Sequence, residues 1–167
     1  MIYLTTEQKI LDKTPLDKNL LSHNLKPAMI LAQKINLTNL LGDDLVNKIY
    51  TEIQNNTLSG NYKYLVDTYL VDMVTYWSVY YALTDLLSSL GNRGIQSLSS
   101  ENSSPSDISV YRELRSNFRN IAETFSERAT NYLWIKNELF PEFNLGNAAN
   151  GKVPSNIDTK FYSGLQI

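Results

Sequence analysis

The sequence predicts an all-α protein: a helical bundle with two long helices and shorter N-terminal helices, plus an extended C-terminal arm. Three observations predict it. Residues 62–90 are apolar around more than one helical face, the mark of a helix packed by neighbours on several sides. Val110, Leu114, Phe118, Ile121, Phe125, Ala129 and Tyr132 form one stripe at helical spacing. Leu25, Ala28, Met29, Ala32 and Ile35 repeat that spacing in a shorter segment, which an elbow at Gly42 closes.

Each element follows from local chemistry. Thr5 followed by Gln8 is a capping-box pattern, which predicts a small helix to about Leu11. Pro15 interrupts it and biases Thr14 away from helix, with one further turn expected over 17–21. The stripe of the elbow helix breaks over 36–42, with Leu40 and Leu41 turned inward before the glycine. Asp43 and Asp44 then open a helix over 43–54, where carboxylates cap free N–H groups and meet the positive end of the dipole. Leu45, Ile49 and Ile53 line its apolar side, flanked by Val46 and Tyr50. A polar turn over 55–61 leads to the long helix 62–90, which Gly91 stops. Leu65, Tyr69, Met73, Tyr76, Tyr80, Leu83 and Leu87 form one side of it, with Leu70, Val74, Trp77 and Tyr81 beside them. Residues 91–104 form a loop anchored by Ile95 and Leu98. Ser104, Pro105 and Asp107 make a strong helix start, and the second long helix is expected to run to about Phe140, before Pro141. Residues 1–143 make the helical domain. The arm, 144–167, carries Gly146, Gly151, Pro154 and Gly164 and no periodicity.

Composition narrows the function. The chain of 167 residues is long enough for a real core, and an apolar share of 43% is near the globular norm. A formal charge of -2 predicts no general attraction to nucleic acid or anionic membranes. The absence of cysteine excludes disulfides and thiolate metal sites. The N-terminus lacks the basic-then-apolar pattern of a signal peptide. Asp67, Asp72 and Asp85 interrupt the most apolar helix, which therefore reads as a buried helix and not a membrane span.

Catalytic chemistry finds little to use. His23, the one histidine, has no partner at metal-ligand spacing and reads as a capping or surface residue. The sequence 91–94, Gly-Asn-Arg-Gly, follows a helix and lacks the Gly-Lys-Ser/Thr ending of a phosphate loop. No serine sits in a nucleophile elbow. No catalytic residue, cofactor or metal is expected, and the chain reads as a non-enzyme.

Two features invite a partner. Six of the 11 tyrosines crowd into 62–81, either as core with wet hydroxyls or as a protein–protein surface. Arg112, Arg115 and Arg119 share one face of the last long helix, read as opposite its apolar stripe, with Glu123 continuing the line. That face is either solvated, paired with acids of an adjacent subunit, or turned to DNA. Tight DNA binding needs many cations, so subunit pairing is preferred. In the arm, Val153, Ile157, Phe161, Tyr162, Leu165 and Ile167 are too apolar for a purely solvated tail. Phe161, Tyr162, Leu165 and Ile167 are therefore candidate contacts, expected to order on a neighbouring subunit or stacked partner.

Several short motifs, in order, carry a resemblance. Pro27, Ala32 and Gln33 precede Leu41-Gly42 and Leu45. The stretch 92–95, Asn-Arg-Gly-Ile, comes next, and 140–143, Phe-Pro-Glu-Phe, ends the helical part. This arrangement resembles the head-tail connector (head-completion, adaptor or neck-ring) proteins of tailed bacteriophages, most closely the branch in phages of gut Bacteroidota that includes crAss-like phages. The resemblance implies a structural virion protein that forms a homo-oligomeric ring of about twelve copies beneath the portal. Such a ring joins capsid to tail and extends the DNA channel, with genomic DNA passing through without sequence-specific binding. It implies the portal protein and other neck or tail proteins as partners, no membrane, a place at the portal vertex of the virion, and the host cytoplasm during assembly. The alternative is a small helical protein–protein interaction module with no viral role.

Overall fold

A computed structural model describes residues 2–14, 25–92 and 108–143. Among them there is no strand, and the architecture is the all-α bundle that the periodicity predicts. The expected turn over 17–21, His23, the loop anchors Ile95 and Leu98, the start at Ser104 and the arm 144–167 lie outside the described residues.

Helix α1, Glu7–Lys13, is capped one residue later than expected: the Thr6 hydroxyl accepts from the Lys9 amide at 3.2 Å. Gln8 reaches forward to Asp12 at 2.7 Å. Thr5 is drawn inward instead, fully buried, with its hydroxyl 2.8 Å from that of Thr75. The Thr75 proton goes to the Val71 carbonyl at 2.7 Å, so the Thr5 hydroxyl is the donor between the two. A tertiary bond thus decided which threonine was free to cap.

Helix α2 spans 25–41: an α segment Leu25–Leu31, a π-helical segment Ala32–Leu37 and a last turn Thr38–Leu41. The helix does not break at 36, as the loss of the stripe suggested. The π segment inserts an extra residue into the turn and rotates the remainder of the helix. The buried line therefore runs Leu25, Ala28, Met29, Ala32, Gln33, Leu37, Leu41, while Ile35 is left 42% exposed. Leu41 is buried and Leu40 half-buried. Gly42 makes the corner with φ 77° and ψ 162°, a conformation that favours glycine. Its amide closes α2 on Thr38 at 2.9 Å and its carbonyl receives the Val46 amide at 3.2 Å, opening α3, Asp43–Gln54. Asp43 and Asp44 lie in that first turn, but neither makes a side-chain cap bond. Leu45, Val46 and Ile49 are its buried residues.

Helix α4 spans 60–92, with a π segment at Val66–Leu70 between the helical parts Gly60–Leu65 and Val71–Asn92. Its length is about 50 Å. Its deepest residues are aliphatic or small: Leu65, Val66, Leu70, Val71, Met73, Val74, Thr75, Ser78, Val79, Ala82 and Leu83. Tyr69, Tyr76, Trp77, Tyr80 and Tyr81 are half-buried along its borders, so the aromatic side inferred from spacing is the rim of the interface and not its centre.

Helix α5, Ile108–Ile135, lies antiparallel on α4. Ring contacts mark the register: Tyr76 stacks on Phe125 at 5.1 Å, Tyr69 on Tyr132 at 4.6 Å, and Tyr62 meets Phe140 edge-on at 5.4 Å. The buried line of α5 is Phe118, Ala122, Ala129 and Leu133. Val110 and Ile121, assigned to the stripe from sequence, are 58% and 39% exposed. Alanines take the central positions because close approach of two helices leaves little room there. The helix ends at Ile135, earlier than expected. A 3₁₀ turn, Asn137–Leu139, and a non-helical Phe140 (φ −132°, ψ 71°) before Pro141 fold the chain back, and Phe140 and Phe143 become fully buried.

The core divides in two along α4. One cluster joins Ile10, Leu25, Ala28 and Met29 to Val79, Ala82, Leu83 and Phe118. The other gathers Leu37, Leu41, Leu45 and Ile49 around Leu65, Leu70, Met73, Ala129, Leu133, Phe140 and Phe143. Gln33, 1% exposed, stitches the N-terminus to both helices of the elbow. Its Oε1 accepts from the Leu4 amide at 2.8 Å, and its Nε2 donates to the Ile2 carbonyl at 2.9 Å and the Tyr50 hydroxyl at 2.8 Å.

Phe118→Ala should destabilise the fold by about 3–5 kcal/mol in denaturant titration, because the ring is buried; a loss below about 1 kcal/mol would be incompatible with this packing. Gln33→Leu should cost about 1–3 kcal/mol by leaving buried polar groups unpaired, and amide exchange at Leu4 should accelerate before that of α4.

Candidate subunit interface

The most chemically distinctive surface lies along one border of the α4–α5 seam. On α4, Trp77, Tyr80 and Tyr81 fall three and four residues apart and so project together. Their rings contact one another, Trp77 to Tyr80 at 5.5 Å, Tyr80 to Tyr81 at 5.3 Å and Trp77 to Tyr81 at 6.1 Å. Two of the three polar tips are anchored. The Trp77 indole donates to the Ser126 hydroxyl on α5 at 2.9 Å, and the Tyr81 hydroxyl donates to Asn36 on α2 at 3.0 Å. These bonds fix a rigid aromatic ledge between three helices.

The arginines of α5 stand beside this ledge. Arg115 is half-buried with its guanidinium 5.7 Å from the centre of the Tyr80 ring, a cation–π contact. Arg119 is exposed and binds Glu123 one turn on at 2.7 Å. That hydrogen bond and the carboxylate charge hold the guanidinium pKa above its ordinary value. Arg112 is exposed on the same face. The three share a face as their spacing predicts. That face flanks the seam and does not oppose the apolar stripe, because the buried line runs through Ala122 and Leu133. Rotating the line toward those residues carries Arg115 onto α4.

Phe161, Tyr162, Leu165 and Ile167 lie outside the described residues. The ledge residues Trp77, Tyr80 and Tyr81 were legible as an aromatic cluster at helical spacing, with the tyrosines open to either reading, core with wet hydroxyls or protein–protein surface. Trp, Tyr and Arg are the residue types most often responsible for binding energy at protein interfaces. A rigid ledge loses little side-chain entropy on association.

Other surfaces offer less. Among the described residues no group of three His, Cys, Asp or Glu could hold a metal ion, and no helix is long and apolar enough to cross a membrane. An open cleft of about 680 Å³ lies between α2 and α3, lined by Ile2, Gln33, Lys34, Thr38, Tyr50 and neighbouring polar residues. Its buried glutamine already spends its hydrogen bonds on Ile2, Leu4 and Tyr50.

Tyrosine ionisation gives this scaffold a pH dependence. Burial raises the pKa of Tyr50, Tyr62, Tyr69, Tyr81 and Tyr132 above the ordinary value of 10.0. For Tyr62, the hydrogen bond its hydroxyl donates to Glu142 at 2.7 Å and that carboxylate's charge add to the effect. A raised folded-state pKa means that the folded chain holds these protons more tightly than the unfolded chain. The stabilisation is fully present below pH 10.0 and is lost as pH climbs toward the folded-state values. The thermal midpoint should therefore be flat from neutrality to about pH 9 and fall above pH 10, and Tyr62→Phe should reduce the steepness of that fall.

A family of unknown function, DUF6712, matches residues 37–152, most of the chain, and the chain belongs to it. No curated protein and no solved structure matches.

Proposed function

We propose that this DUF6712 member is a structural subunit of a tailed-phage virion, one that assembles as a ring below the portal and connects capsid to tail. The observation that carries the reading is the arginine–aromatic ledge on the α4–α5 seam, a preorganised surface of the kind that closes a repeated contact between copies. The ordered motifs of Pro27, Ala32, Gln33, Leu41-Gly42 and the Phe-Pro-Glu-Phe corner at 140–143, which resemble those of connector proteins, give the ledge its context.

In this reading Arg112, Arg115 and Arg119 meet carboxylates of the adjacent subunit. The chain has 17 acids against 15 Lys and Arg, so a second copy can supply them. A ring contact is head-to-tail: the ledge of one subunit meets a different surface of the next, and the rotation closes. The portal and the next neck or tail protein stack on the two faces of the ring, and DNA passes through its centre. The subunit contributes shape and contacts and no chemistry.

The test is genetic and structural. Replacing Arg112, Arg115 and Arg119 together by Glu should leave a folded subunit, because Arg112 and Arg119 are exposed and the half-buried Arg115 adds a single cation–π contact, each of small effect on stability. The same protein should fail to co-purify with portal-containing particles. Normal incorporation with altered DNA retention would instead turn the arginines toward the channel. Normal incorporation and normal DNA handling would remove the ledge from assembly altogether.

A further inference from the structure

The border of α5 away from the ledge carries an uncovered line, on which Val110, Ile121 and Ile135 are 58%, 39% and 76% exposed. Val110, Leu114, Asn117, Ile121, Thr124 and Arg128 follow one another in alternating steps of four and three residues, and Asn131 and Ile135 continue the rhythm. All but the half-buried Leu114 are exposed. Steps of four and three keep side chains on one face along the whole helix, the spacing along which a second helix can lie. The line is about 38 Å long. Arg128 keeps its guanidinium 5.6 Å from the centre of the Phe125 ring, and Glu113 is exposed one turn before Asn117. Neither Arg128 nor Glu113 belongs to a salt bridge among the described residues. Isolated exposed apolar residues are ordinary, but a line of them at this spacing marks a surface that something covers.

We infer that the occupant is the same face of a second copy, so that the free protein pairs α5 with α5, antiparallel about a two-fold axis. The line is complementary to itself when reversed and not when parallel. With the axis between Ile121 and Thr124, Val110 of each copy meets Ile135 of the other, and the two most exposed aliphatic residues of the line cover each other. Ile121 meets the Thr124 side chain beside the axis. Arg128 meets Asn117, one turn from the exposed Glu113, so each copy offers a cation to the other's carboxylate and receives the same in return. A parallel pairing would set Arg128 against Arg128 and leave Glu113 about 22 Å away. The antiparallel contact is isologous, and every one of these contacts is made twice. Polar residues within a helical seam fix its register at a cost in stability. Asn117 and Asn131 do so here, and the dimer is therefore a reversible one. This inference goes beyond the ring assembly and uses none of the ledge.

Sedimentation equilibrium of the full chain should show a monomer–dimer equilibrium between micromolar and millimolar concentration. Ile121→Asp should weaken dimerisation about ten-fold or more, because each dimer loses two covered isoleucines. The position is exposed, so the helical circular dichroism should persist. Glu113→Arg and Arg128→Glu should each weaken the dimer, and the two together should restore it to within about three-fold, since the ion pair is reversed and kept. The chain has no cysteine, so introduced thiols report the register. Under mild oxidation, Val110→Cys protein mixed with Ile135→Cys protein should give a disulfide-linked heterodimer, and either alone far less. A monomer throughout the concentration range would overturn the inference. So would a dimer that Ile121→Asp leaves intact, which would put the contact on another surface, the ledge included. Preferential linkage of Val110→Cys protein to itself would mean a parallel pairing, and failure of the double charge reversal to recover would remove the ion pairs; either result overturns it as well. None of these outcomes touches the ring assembly, whose own test is the triple arginine variant.

Discussion

The structure depends on one constraint: from Val71 to Leu83 no residue of α4 is exposed, so neighbours must cover this stretch on several sides. A helix with this pattern gains from each neighbour that removes it from water and has no stable position at a surface. α5 lies along one side, α2 crosses another, and α1 is tied down through Lys13 to Asp72 and Thr5 to Thr75. The base is closed by α3 and by the chain reversal that inserts Phe140 and Phe143. Each of the remaining elements covers a different stretch of this helix.

The covering elements meet through small residues and satisfied polar groups as much as through large apolar ones. Ala28, Ala32, Ala82, Ala122 and Ala129 are almost wholly inaccessible to solvent, which lets helices approach closely. Ser78 and Thr75 sit in the same zone and return their hydroxyl protons to carbonyls one turn back. Burying those hydroxyls unpaired would be costly, and the back-bonds remove that cost. Gln33 does the same for the N-terminus, where its carbonyl and both amide protons bond to one stretch of backbone and one tyrosine. The π segments in α2 and α4 make this possible, since each rotates the later part of its helix into a line that an uninterrupted α-helix would miss.

Covering α4 leaves two borders of α5 with different chemistry. One presents arginines against a Trp–Tyr ledge held in place by Ser126 and Asn36. The other presents aliphatic residues above a group of tyrosines. The first suits recognition of acidic groups by a rigid surface.

The sequence by itself determined the all-α class, the helix order, the glycine corner and the two long helices, because these rest on periodicity and on local turn and cap chemistry. It placed Phe118, Ala129, Leu41 and Leu45 inside correctly and gathered Arg112, Arg115 and Arg119 on one face. Only the tertiary structure decided that Ile35, Val110 and Ile121 face outward, that Ala122 and Leu133 are central, that Thr6 and not Thr5 is the cap, and that the arginines lie beside the seam. The physical reason is common to all of these. Apolar spacing fixes a stripe only to within about one residue of rotation, and a single inserted π turn or one buried hydrogen bond is enough to turn the helix by that amount. The final rotation is selected by the shape of the neighbouring helix, and that shape exists only once the chain has packed.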